Sequence, residues 1–409
     1  MEYIGSKNIF MLTRDMLKLV NRKVMDHGSR VAYILSMMLR ETGRYEEYEI
    51  AEFCYLSSFH DIGAYRRVDL TKPLQFESRD GAPHSIYGYL FFKYLSAFGE
   101  RSKILLYHHT SYSNLQEVDF EYKDIANYLN LADAVDVYLT ALREKFHVGM
   151  FRKWVGKRFS EETLELFMRA EEKGQLIENI RNGEYKKALD EQMDYLIFTN
   201  EEKKKCLELL MYCGGFHNVE FVINTTTCVC ICNEIAMHMK LGEAEREILY
   251  YAALLHDIGL LGLPKELLKP QYELSDAEKE LMKKHIAIEE RIFKLRNLNE
   301  DILNVAIAHH ERKDGSGYPK HLKGKEQNKL QRILQVADGM TAKAPLTKEQ
   351  VIAELQNESA DGKLDKEIVE IVLRDYDAIV SKVAEESKAI LSMHTKLNTK
   401  FQKISAQFT

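Results

Sequence analysis

The sequence predicts an all-α protein built from two tandem helical bundles. Three observations carry this. Only six prolines interrupt 409 residues, and proline is the residue that breaks helices. Apolar residues recur at three- and four-residue spacings around the main motifs, which is the helical period. A histidine–aspartate series occurs twice in the same order, the mark of a duplicated domain.

The first series is His27, the pair His60-Asp61, His84, the pair His108-His109, then Asp133. The second is His256-Asp257, His285, His309-His310, then Asp338. The offset is 196 at the His-Asp pair (60 to 256), 201 at the single histidine and the His-His pair, and 205 at the late aspartate. A slowly growing offset is what small loop insertions give. Surrounding text repeats as well. "FHDIG" ending at Gly63 matches "LHDIG" ending at Gly259, and "NLADAVD" ending at Asp136 resembles "QVADGMT" ending at Thr341. "GKRFSEETLELF" from Gly156 resembles "GKLDKEIVEIVL" from Gly362. The two modules are placed at 1–170 and 215–409. A charged segment over 171–214, containing "RNGEYKKALDEQ", keeps helical spacing and is expected to be a helical connector through which the bundles pack.

In chain order, "RVAYILSMMLRETG" puts Val31, Ile34, Leu35, Met38 and Leu39 on one face, and Gly43 ends it. "REILYYAALLHDIG" is apolar nearly all round, so it should be a central buried helix with its His-Asp pair at the end and Gly259 as terminator. "SDAEKELMKKH" opens with a capping box at Ser275 and Glu278 and should carry His285. "DILNVAIAHHE" is a further apolar helix ending in a ligand pair. Cys228 and Cys232 share a helical face and are expected to be small core residues.

Composition excludes several classes. Lys and Arg total 57 against 63 Asp and Glu, a net charge of −6, which argues against a duplex nucleic-acid binder. With 45% hydrophobic and 29% charged residues, intrinsic disorder is not expected. Six cysteines without framework spacing point to a reduced, cytoplasmic setting. The charged N-terminal stretch is no signal peptide, and no apolar run reaches the roughly 18 residues that span a membrane.

Imidazoles and carboxylates at the ends of apolar helices are costly unless paired or metal-bound. Adjacent helical residues point about 100° apart, so each pair is expected to reach two neighbouring ions. Mixed nitrogen and oxygen donors suit iron, manganese or zinc better than magnesium or calcium.

The His…His-Asp…Asp order resembles the HD phosphohydrolase superfamily. In the second half, "HHERKDGSGYP" from His309 to Pro319 is similar to the HD-GYP family of cyclic di-GMP phosphodiesterases. The resemblance covers about 215–400 strongly and 20–170 more loosely. It implies two tandem HD bundles and two divalent transition metals per intact site, iron or manganese first and zinc as the alternative. Asp257 would bridge the metals and be catalytic. His285, His309 and His310 would complete one ion's shell, and His256 and Asp338 would hold the other. Arg312 and Lys313 would supply positive charge to a substrate phosphate, and the loop of Asp314, Gly315, Gly317, Tyr318 and Pro319 would border the pocket. In the first half one ion would have His27, His60, Asp61 and Asp133, and the other Asp61, His84, His108 and His109, with Asp61 as the bridging catalytic carboxylate.

Each half departs from the pattern. The second half lacks the early histidine, with Thr225 or Thr226 in its place. The lysine that follows the HDIG tetrapeptide in the family is Ala64 in one half and Leu260 in the other; Arg66 or Arg67 stands near the first. The first half has "TSYSN" after His108-His109 and no Gly-Tyr-Pro loop.

The leading expectation is hydrolysis of cyclic di-GMP, or a related cyclic dinucleotide, by a hydroxide bridging two metals. One alternative is an HD phosphohydrolase acting on mononucleotides through the first half. Another is a degenerate, non-catalytic HD-GYP module that binds a nucleotide or a signalling protein through the Gly-Tyr-Pro loop.

Overall fold

The structure, a computed structural model, describes residues 3–66, 83–215, 219–268, 274–341 and 346–408. Arg67 lies outside them. Among the described residues every regular element is a helix, and extended pairing is limited to two isolated bridges, Val155 with Phe159 and Asp314 with Lys323. The expected all-α class is therefore the one observed. No described helix is long and apolar enough to cross a membrane.

The chain divides into two compact units. The first is Ile9–Leu210 with Thr395–Thr409, and the second is Met1–Asn8 with Met211–His394. In the first, the long helix Ser6–Thr42 bends at Asn21, whose backbone is extended (φ −153°, ψ 98°). Gly43 follows it with φ +63°, where glycine avoids the Cβ clash of the left-handed region. An aromatic core of Phe10, Tyr55, Phe59, Phe92, Phe98 and Phe198 forms beneath, with ring centroids 5.0–6.2 Å apart.

The expected connector packs onto this unit. The Tyr185 ring lies 6.3 Å from that of Tyr33, and Asn179 Nδ2 donates to Tyr33 Oη at 3.0 Å. Gln192 Nε2 donates to Glu47 O at 3.0 Å. Phe198 joins the aromatic core.

In the second unit, the helix Val219–His238 packs against Glu243–Leu255 and Lys329–Thr341. Cys228 and Cys232 are buried on it as expected. Ser275 caps the helix Asp276–Met282, accepting from Glu278 N while Glu278 accepts from Ser275 N at 2.9 Å. His285 sits on the next helix, Lys284–Leu295, two residues beyond a break at Lys283. The matching segments from Gly156 and Gly362 both lead into helices capped at the N-terminus. Ser160 accepts from Thr163 N, and Asp365 accepts from Glu367 N.

The sequence places the ligand pairs at helix ends, and the structure moves them one step further. The helices Glu47–Ser58, Lys103–Tyr107, Glu243–Leu255 and Glu300–Ala306 all stop before their pair, which lies in the following turn. Gly259 is therefore no helix terminator. A Cβ there would lie 2.2 Å from His285 O, so the glycine admits the helix that carries His285. Gly63 admits the His84 backbone in the same way, also at 2.2 Å.

Candidate metal centres

Each unit gathers its own series into a buried cluster. In the first, ligand atoms of His27, His60 and Asp133 lie within 4.8 Å of one another, and so do those of Asp61, His84, His108 and His109. In the second, the groups are His256, Asp257 and Asp338; His285, His309 and His310; and Asp257, His285 and Glu289.

One local device recurs. Five histidines place Nδ1 on the carbonyl three residues earlier: His60 on Ser57 at 2.8 Å, His108 on Leu105 at 2.6 Å, His256 on Ala253 at 2.7 Å, His285 on Met282 at 2.6 Å and His309 on Ala306 at 2.7 Å. Carbonyls in the last turn of a helix lack helical partners. The turn after the helix lets the imidazole supply one. The proton is then on Nδ1, and Nε2 is left as the ligand atom. Nε2 of His60 and of His108 is buried with no hydrogen-bond partner. Imidazole nitrogens orphaned beside carboxylates are what a divalent cation would satisfy, so the residues fit a metal.

His27 is oriented differently. Its Nδ1 lies 2.7 Å from Asp136 Oδ2 and its Nε2 3.1 Å from Asp133 Oδ1. Arg30 holds Asp136 through Nε at 2.6 Å and a terminal nitrogen at 2.9 Å. Burial opposes charging His27, but hydrogen bonds to Asp133 and Asp136 overcome it and raise its pKa to about 10. His84 Nε2 is 3.3 Å from Asp61 Oδ1, and His109 Nδ1 is 3.8 Å from Asp133 Oδ2. Burial pushes His108 and His109 well below the ordinary histidine value, which keeps them in the neutral, ligating form. Burial alone would raise the Asp61 carboxyl; His60 and His84 hold it far below its usual range instead.

In the second unit His256 Nε2 lies 3.3 Å from Asp257 Oδ2 and 3.8 Å from Asp338 Oδ1. His309 Nε2 is 3.6 Å from Asp257 Oδ1, and His285 Nε2 is 3.9 Å from it. His310 Nδ1 faces Asp338 Oδ2 at 3.4 Å. Burial pushes His310 down to about 4. The side chains of His310 and Asp257 are 26% and 17% exposed, while His285 and His309 are closed off, so the cluster opens on the His310 side. Thr225 is buried, with a hydroxyl that has no hydrogen-bond partner. Thr226 donates to Met211 Sδ at 3.2 Å.

The loop after His310 is tied to the cluster. Tyr318 N donates to His310 O at 3.1 Å, and the two rings lie 4.8 Å apart. Asp314 accepts from Ser316 N and Oγ at 2.8 and 2.7 Å, and Gly315 turns with φ +86°. A Cβ on Gly317 would lie 2.3 Å from Arg312 N. Glu311, fully buried, accepts from Lys320 N at 2.6 Å and Leu322 N at 2.8 Å, which holds the segment after Pro319. Lys313 turns to Asp365 at 3.3 Å. Arg312 is close enough to His310 for its charge to disfavour protonation there.

Residues 216–368 match the family model described as HD domain. Over that stretch, which lies in the second unit, the chain is similar to the HD domain family. Among similar proteins, a cyclic di-GMP phosphodiesterase of Thermotoga maritima is 33% identical over 192 residues, 42% of this chain and 52% of that protein. The chain thus spans about half the length of that relative. A 3'3'-cGAMP-specific phosphodiesterase 1 of Vibrio cholerae is 23% identical over 378 residues, 86% of this chain and 87% of that protein. The crystal structure of a cyclic GMP-AMP specific phosphodiesterase of V. cholerae (V-cGAP3) has the same fold. It matches with a TM-score of 0.56 and 16% identity over 91% of this chain and 98% of that one.

All thirteen expected ligand residues lie in the clusters. The neighbouring histidines do not divide as helical geometry suggested. His108 and His109 face one group of ligands, and so do His309 and His310, because each pair lies in a turn rather than on a helix. The sequence reading missed Asp136, Arg30, Glu289 and Glu311. The first two stand three residues beyond Asp133 and His27, on the same helix faces, and that spacing could have found them.

Proposed function

We propose that this protein is a metal-dependent phosphodiesterase that opens a cyclic dinucleotide, cyclic di-GMP or 3'3'-cGAMP, to a linear product in its second unit. The carrying observation is the Gly-Tyr-Pro loop fastened beside a histidine–carboxylate cluster, with Tyr318 on His310. The relatives named above, which are phosphodiesterases of such dinucleotides, support the same reading.

Asp257 would bridge two cations, with His285, His309 and His310 on one and His256 and Asp338 on the other. Iron or manganese suits this nitrogen-rich set. Bound there, two such ions would supply Lewis acidity and a water of lowered pKa for attack on phosphorus. The chain's own task is placement. Nδ1 contacts to backbone carbonyls fix three of the imidazoles. Arg312 offers positive charge beside His310 for a substrate phosphate, whereas Lys313 is engaged by Asp365. Tyr318 borders the open side, in a loop shaped by Asp314, Gly315, Gly317 and Pro319.

In the first unit, His27, His60, Asp61 and Asp133 would hold one ion, and Asp61, His84, His108 and His109 another. This fuller ligand set favours a second reading, a phosphohydrolase acting on mononucleotides there. Six buried, unbridged cysteines support a reducing, cytoplasmic setting for either.

The test is incubation of manganese- or iron-loaded protein with cyclic di-GMP and 3'3'-cGAMP, with chromatographic detection of products. Linear dinucleotide is expected. Loaded protein that leaves both substrates intact would contradict the assignment.

A further inference from the structure

Glu289 breaks the repeat. It stands four residues beyond His285 on the helix Lys284–Leu295, whereas the residue four beyond His84 is Gly88. The second unit therefore carries a carboxylate where the first carries only a hydrogen.

That carboxylate is fully buried. Its Oε1 accepts a hydrogen bond from Gly259 N at 3.2 Å, and its Oε2 is buried with no hydrogen-bond partner. A carboxylate oxygen lies within 4.8 Å of ligand atoms on Asp257 and His285. A second carboxylate beside Asp257 in a closed site is a costly arrangement without a cation to offset it.

His285 decides which cation. Its Nδ1 is occupied by Met282 O at 2.6 Å, so Nε2 carries its one available lone pair. One lone pair serves one ion. His285 nonetheless belongs both to the group with His309 and His310 and to the group with Asp257 and Glu289. The two groups thus surround a single ion position.

We propose that Glu289 is an additional ligand of the ion held by His285, His309, His310 and Asp257, a ligand that the first unit does not have. The inference rests on the metal-centre reading above. It gives the second unit an oxygen-richer ion with fewer positions for water. Among the described residues, the neighbouring group of His256, Asp257 and Asp338 includes no further histidine. Harder cations, manganese over zinc, should gain most from the added carboxylate.

The test is equilibrium binding of Mn(II) to the full chain in an Asp61→Ala background, which weakens the first unit's contribution. Glu289→Gln, Glu289→Gly and Asp257→Ala are compared with that parent. Gln keeps the acceptor for Gly259, and Gly is the first unit's own residue. Both Glu289 variants are expected to keep the parent's metal-free circular dichroism and to bind Mn(II) at the second unit roughly tenfold or more weakly. If Asp257→Ala weakens binding while both Glu289 variants bind like the parent, Glu289 is no ligand and the metal centre stands. If Asp257→Ala also changes nothing, the metal-centre reading fails and takes this inference with it. Loss of the metal-free fold in both Glu289 variants would assign the residue to the fold and overturn the inference as well.

Discussion

His27 Nδ1 and Asp136 Oδ2 lie 2.7 Å apart, both side chains buried, with Arg30 clamping the far side of the carboxylate. This pair aims Nε2 of His27 at Asp133. Asp136→Asn keeps the shape but removes the charge that orients and polarises the imidazole. Metal affinity of the first unit should fall by about 10- to 100-fold, measured by Mn(II) binding isotherms. Asp136→Ala also strands Arg30 and His27, and should destabilise the metal-free protein by about 3–5 kcal/mol in urea unfolding.

The same pair sets a pH dependence. His27 is raised from 6.5 to about 10 in the folded, metal-free protein, so at pH 7 it holds a proton that a cation must displace. Calorimetry in buffers of different ionisation enthalpy should show proton release on metal loading, with affinity rising above pH 7. For the metal-free protein the sign is the reverse. The stabilisation from His27 is fully present below its unfolded value of 6.5 and is lost as pH rises through about 10.

Gly259 and Gly63 let two helix backbones approach where a Cβ would stand 2.2 Å from a carbonyl oxygen. Gly259→Ala should force the His285 helix away, destabilise the second unit by about 1–3 kcal/mol and weaken its metal binding. Urea unfolding with parallel Mn(II) titration reads both effects. Gly63→Ala should do the same to the first unit through His84.

Glu311 holds the Gly-Tyr-Pro loop through two backbone N–H groups. Glu311→Ala leaves both without their acceptor, at about 1–3 kcal/mol each if they stay buried. If the loop borders the substrate, KM for the cyclic dinucleotide should rise while metal content is unchanged.

Much of this was legible in the sequence. The members of each cluster and their order are written directly in the two histidine series, which match at offsets of 196 to 205 from the His-Asp pair onward. Helix interiors followed from apolar spacing, as in Val31 to Leu39 and in the Ser275 capping box. Helix ends were less legible. Whether His309-His310 is the last turn of a helix or the turn after it depends on which carbonyls find partners, and Nδ1 of His309 supplies one. That small shift is why both histidines of the pair face one group of ligands. Asp136 and Glu289 were visible as letters, but their burial beside metal ligands arises only when distant helices meet. Gln192 and Asn179 gave no sign in sequence that they would bond to the first unit's backbone and Tyr33.

The most direct test of the central claim compares cyclic dinucleotide turnover by metal-loaded wild type, Asp61→Ala and Asp257→Ala, with metal content measured on the same samples. Turnover should survive Asp61→Ala and vanish in Asp257→Ala, which places the active centre in the second unit despite its missing histidine. Turnover that vanishes in Asp61→Ala and survives in Asp257→Ala would contradict that placement.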